Sequence, residues 1–104
     1  IKRRIMKQYI FDQFVKNIIN HTGYTKEEIF STTKKSEISL ARKVLYKLCI
    51  DRGFSIKAIE EYMERNGYKC HTNTIHQALV SLDKIMANDP DYQTIIKNLS
   101  NVEA

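Results

Sequence analysis

Residues 71–77 read His-Thr-Asn-Thr-Ile-His-Gln. Six of these side chains, His71, Thr72, Asn73, Thr74, His76 and Gln77, are hydrogen-bonding types, and only Ile75 is apolar. An Asn or Gln amide offers a donor and an acceptor side by side, which matches the edge of adenine, and Thr adds a hydroxyl and a methyl. Two other chemistries use some of the same residues. Cys70, His71 and His76 are metal-ligand types, but His71 and His76 stand five apart where helical ligands prefer three or four. A four-ligand site would have to recruit distant His21 or Cys49. Cys70 and His71 are also the types of a thiol nucleophile and its base. Adjacent side chains diverge, however, and neither an orienting acid nor an oxyanion loop is evident. Glu60, Glu61 and Glu64 read as a solvated helix face. The sequence has no phosphate-binding P-loop. The expectation is therefore no metal, no cofactor and no catalysis.

Apolar periodicity and helix punctuation define the elements that position this stretch. A first helix is predicted over Arg4–Asn20, with Ile5, Tyr9, Phe14, Val15, Ile18 and Ile19 inward and Gly23 just past its end. Thr25-Lys26-Glu27-Glu28 is a capping box opening a short helix that turns Ile29 and Phe30 inward. A polar, basic loop over 31–36 leads to a helix over Glu37–Asp51 with an apolar stripe of Leu40, Ala41, Val44, Leu45, Leu48 and Cys49. Ser55 caps a helix over Ile56–Arg65 with Ile56, Ile59, Tyr62 and Met63 inward, and Asn66-Gly67 stops it. After the connection Tyr68–His71, Thr72 is the expected cap of a helix over Asn73–Ala87 that buries Ile75, Ala78, Leu79, Leu82 and Ile85. Asp89 or Asp91 starts a last helix with Tyr92, Ile95, Ile96 and Leu99, and Ser100–Ala104 are expected to fray. Tyr9, Tyr46, Tyr62, Tyr68 and Tyr92 are expected at the core edge.

The fold class is thus all-α: a compact bundle of about six helices in which Ile56–Arg65 and Asn73–Ala87 form a helix-turn-helix. Three Gly and one Pro are too few for a sandwich or barrel rich in tight turns. The 104 residues suit one domain. They divide into an N-terminal helix with a basic lead-in (1–22), a helix-turn-helix core (23–88) and a C-terminal helix with its tail (89–104). The chain opens on Ile1, not Met, so a further upstream part is expected.

Net charge is +5, unevenly spread. Lys2, Arg3, Arg4 and Lys7 come without an acid. Lys34, Lys35, Arg42, Lys43, Lys47 and Arg52 face only Glu37 and Asp51, whereas the C-terminal third is acidic. Such a balance favours a polyanionic partner. Two cysteines are too few for a disulfide scaffold, which points to a reducing cytoplasm. No apolar run is long enough for a membrane span, and no signal peptide is evident.

From about Phe14 to Ile85 the chain resembles the C-terminal DNA-binding domain of the bacterial replication initiator DnaA, a helix-turn-helix domain of the Trp-repressor-like superfamily. Four stretches carry the resemblance. They are Tyr24–Ile29, Lys34-Lys35 followed by Ala41-Arg42-Lys43, Ser55–Ile59, and Cys70–Ala78. The last is similar to the family's Asp-His-Thr-Thr-Val-x-His-Ala signature. It departs from that signature by one extra residue, by Cys70 or His71 in place of the aspartate, and by a turn about two or three residues longer. The proline common beside the loop arginine is absent.

The resemblance implies sequence-specific binding of double-stranded DNA in replication initiation or its regulation. His71, Thr72, Asn73 and Thr74 would then meet bases or phosphates in the major groove, and Arg42 would enter the minor groove. Lys34, Lys35, Lys43, His76 and Gln77 complete the expected DNA-binding set. The rival expectation is a helix-turn-helix reused for protein contacts, for example in a phage particle or replication complex, with the N-terminal or C-terminal helix as the partner surface.

Overall fold

One helix touches all the others. In the computed structural model, which describes the backbone of residues 2–102 and the side chains of residues 6–102, α3 (Ser36–Asp51) packs against α1 (Lys2–Thr22), α2 (Lys26–Ile29), α4 (Ile56–Arg65), α5 (Thr72–Asn88) and α6 (Pro90–Leu99). Its central place explains its sequence. A helix with neighbours on most sides buries far more than a stripe, and Ile38, Ala41, Arg42, Val44, Leu45, Tyr46, Leu48 and Cys49 are all buried. Tyr46 is therefore a core residue rather than an edge one. The described residues are all-helical apart from their connections, as expected. None of these helices is long and apolar enough to cross a membrane.

α1 buries Ile10, Phe11, Phe14, Val15 and Ile18, and it leaves Tyr9 exposed where an inward position was expected. Stepping back four residues from Phe14 and Val15 gives Ile10 and Phe11. Stepping forward three and four from Tyr9 gives Asp12 and Gln13, so Tyr9 shares a polar face. The expectations that Ile5 packs inward and that Lys2, Arg3 and Arg4 form a cationic lead-in concern side chains outside the described residues.

The helix ends follow local chemistry. Thr25 Oγ1 accepts from the Glu28 N–H at 3.1 Å, and a Glu28 carboxylate oxygen accepts from the Thr25 N–H at 3.0 Å, which closes the capping box. Ser55 caps α4 by accepting from the Ala58 N–H. Asp89 caps α6 by accepting from the Asp91 N–H, with Pro90 in the first turn. α4 ends in a Schellman motif. The Tyr68 N–H donates to the Met63 carbonyl and the Gly67 N–H to the Glu64 carbonyl, with Gly67 at φ +87°.

A single core runs from Ile10 to Leu99, so the segments 1–22, 23–88 and 89–104 share one hydrophobic interior. Leu40, Ala78, Leu79 and Ile85 are half-buried rather than central. Val102 leans on the core and its carbonyl accepts from Arg52 at 3.5 Å, while residues 103–104 of the expected frayed tail lie outside the described residues.

Candidate nucleic-acid interface

α5 is held from two sides. Ile75 and Leu82, seven apart, are fully buried, and α3 and α4 both pack on the helix. This fixes which residues of its first turns stay outside. His71, Thr72, Asn73, Thr74, His76 and Gln77 are all exposed.

The start of α5 differs from expectation by one residue. Thr72 is the first helical residue and His71 is the N-cap, in an extended conformation, with no side-chain cap bond. On α4 the Glu60 carboxyl is held below the usual carboxylate range, first by the hydrogen bond from Lys57 Nζ at 3.0 Å. The tip presents hydrogen-bonding side chains, and none of them caps the helix.

Beside the tip lies a cleft of about 250 Å³ between α3 and α5, lined on α3 by Ser39, Arg42, Lys43 and Tyr46 and on α5 by Thr74, Gln77, Ala78 and Ser81, with Tyr68 of the turn. It gathers four of the expected residues, Arg42, Lys43, Thr74 and Gln77. Lys43 Nζ donates to Ser81 Oγ at 3.1 Å and bridges the two walls. His71, Thr72, Asn73 and His76 lie outside the cleft lining, on the exposed tip. Lys34 and Lys35 are exposed just before α3. The Lys35 carbonyl accepts from the Ser39 N–H at 2.9 Å, so Lys35, Ser39 and Lys43 follow one another at four-residue steps along α3.

No family model, curated protein or solved structure matches this chain.

Arg42 is not placed as the resemblance implied. It is 5% exposed. Its Nε donates to the Ile29 carbonyl at 2.8 Å, and its Nη2 donates to the carbonyls of Ser31 at 2.6 Å and Thr33 at 2.8 Å. The guanidinium lies 4.7 Å from the centre of the Tyr68 ring. A side chain so engaged cannot extend into a groove, and Arg42 leaves the set of direct DNA contacts.

Sequence reading missed Ser39, Ser81 and Tyr68 as parts of this face. A signal existed: Thr74, Gln77 and Ser81 follow the three- and four-residue steps of one helical stripe. Cys70 is half-buried while His71 next to it is exposed, so the pair points opposite ways. Burial pushes both the Cys49 and Cys70 thiols up, away from the reactive thiolate. Among the described residues no group of three His, Cys, Asp or Glu side chains is placed to hold a metal ion.

Proposed function

We propose that this domain binds double-stranded DNA sequence-specifically, with the first turns of α5 in the major groove and lysines of α3 and its leading loop on the phosphates. The observation that carries the reading is the α5 tip: hydrogen-bonding side chains are exposed together there and none is spent on capping the helix. Thr72, Asn73 and Thr74 would read base edges, with Gln77 and His76 one turn behind. Lys34, Lys35 and Lys43 would meet phosphates, which position the domain without reading sequence. The likeness of Cys70–Ala78 to the DnaA signature extends the reading to replication initiation or its control, in the cytoplasm.

The test is a salt-titrated binding measurement on random duplexes and on duplexes enriched by selection. With three lysines on phosphates, log affinity falls against log salt with a slope of roughly −3. A flat response, or no binding at low salt, overturns the proposal.

A second reading, a protein-docking module, draws on a different observation. α1, α3 and α6 enclose a largely apolar groove of about 280 Å³ whose walls include Ile18, Leu40, Val44, Ile95 and Leu99. A helix-turn-helix reused for protein contacts would engage a partner on that side and leave the α5 tip idle.

A further inference from the structure

Arg42 is a buried cation with no carboxylate paired to it among the described residues. Burying a charge unpaired is costly, so its partners carry meaning. They are the carbonyls of Ile29 at the end of α2 and of Ser31 and Thr33 in the loop after it, together with the face of Tyr68. The chain bends there around the guanidinium, whose planar fork can bridge several carbonyls while its face stays free to stack. The other side-chain hydrogen bonds described for residues 31–35 are local, from Ser31 Oγ to Glu28 and from the Lys35 N–H to Thr33. Tyr68 belongs to the turn that feeds α5.

We propose that Arg42 is a positioning residue, a strut that fixes the loop bearing Lys34 and Lys35 to the turn before α5, so that the phosphate-contacting lysines and the base-reading tip approach DNA in one fixed relation. This rests on the DNA-binding reading. The turn is matched to α3 for that purpose. Residues 68 to 71 alternate between half-buried and exposed, as an extended segment does, with Tyr68 and Cys70 inward. Four residues of helix rise about 6 Å and two residues of extended chain about 6.6 Å, so Arg42 and Tyr46 on α3 are spaced to meet Tyr68 and Cys70. Tyr46 is buried in the core and Cys70 packs against that core, which makes a second tie one helical turn beyond the first.

Lysine in place of Arg42 keeps the charge but cannot bridge three carbonyls and stack at once. Tyr68→Leu keeps the three hydrogen bonds and removes the ring. Ile96→Ala, a core truncation in α6, controls for simple loss of stability. Two readouts follow. In the free protein, hydrogen exchange at the Ser31, Lys35, Gly67 and Tyr68 amides should rise about tenfold or more in Arg42→Lys, above any general rise, and Ile96→Ala should show no such local excess. On DNA, Arg42→Lys should flatten the salt slope by roughly two, and adding Lys34→Ala with Lys35→Ala should then change it no further.

Local exchange no different from the Ile96→Ala control, or a lysine pair that still exerts its full effect in the Arg42→Lys background, overturns the proposal. If Arg42→Lys does not fold, Tyr68→Leu is judged by the same two readouts. If the unaltered protein binds no duplex, the DNA-binding reading falls, and the exchange measurement alone decides whether Arg42 ties the loop to the turn.

Discussion

Asn73→Ala separates recognition from structure most sharply. Asn73 is the second residue of α5, exposed, and outside the side-chain hydrogen bonds of the described structure. Its removal breaks no internal bond. Alanine is the better helix former by a few tenths of a kcal/mol, so stability should stay within about 0.5 kcal/mol. In a domain of this size that is a shift of roughly 2–4 °C at most in melting temperature. A bidentate amide on a base edge is worth about 1–3 kcal/mol of discrimination. At about 1.4 kcal/mol per tenfold, the specific Kd should rise roughly 5- to 150-fold while affinity for random duplex barely moves. Fluorescence anisotropy on enriched and random duplexes, with a thermal melt on the same preparation, reads both. Equal weakening on both duplexes would place Asn73 on the backbone rather than on a base. A melting temperature lowered by about 4–8 °C with discrimination intact would make it a structural residue and refute the reasoning.

Lys34→Ala with Lys35→Ala should weaken binding to all duplexes by about the same factor and flatten the salt slope by roughly two, since a flexible ammonium reads phosphate; sequence-selective loss would contradict that. Gly67→Ala should cost about 1 kcal/mol, seen as a lowered denaturation midpoint. The added Cβ meets no atom, but the residue must hold φ +87° to close the end of α4. Alkylation followed by mass spectrometry should find Cys49 protected until the chain unfolds, because it is fully buried and its thiol is pushed up by that burial. Half-buried Cys70 should react first, and slowly.

Much of this fold was legible because its punctuation is local. Thr25 with Glu28, Ser55, Gly67 and Asp89 each act on chain within five residues, and each does in space what its spacing implied. The register of α1 was harder. Tyr9, Ile10 and Phe11 are consecutive apolar residues, and a helix can turn only part of such a run inward. The cap of α5 lies one residue earlier than its chemistry suggested: the extended N-cap is His71, which makes no side-chain cap bond, so the hydroxyl of Thr72 gave a false signal. Arg42 was the largest miss. Composition marks an arginine as surface charge, and only the bend of residues 29–33 around it reveals three carbonyls waiting for a buried cation. The candidate site followed the same division. Its tip lies on one stretch of sequence and was read directly, whereas the cleft is made by crossing α3 over α5 and brings in Ser39 and Ser81 from far apart.

The reach of α3 also bears on how the chain can be cut. Each of the five other helices completes part of its core against this one element. A piece spanning residues 23–88 would keep the whole tip and cleft, yet it would strip Ile10, Phe11, Phe14, Val15 and Ile18 from one side and Ile96 and Leu99 from another. The bared helix would be a sticky surface before it was a recognition module. The smallest fragment able to present α5 to a duplex in solution therefore has to carry both flanking helices, although neither contributes a residue to the proposed contact.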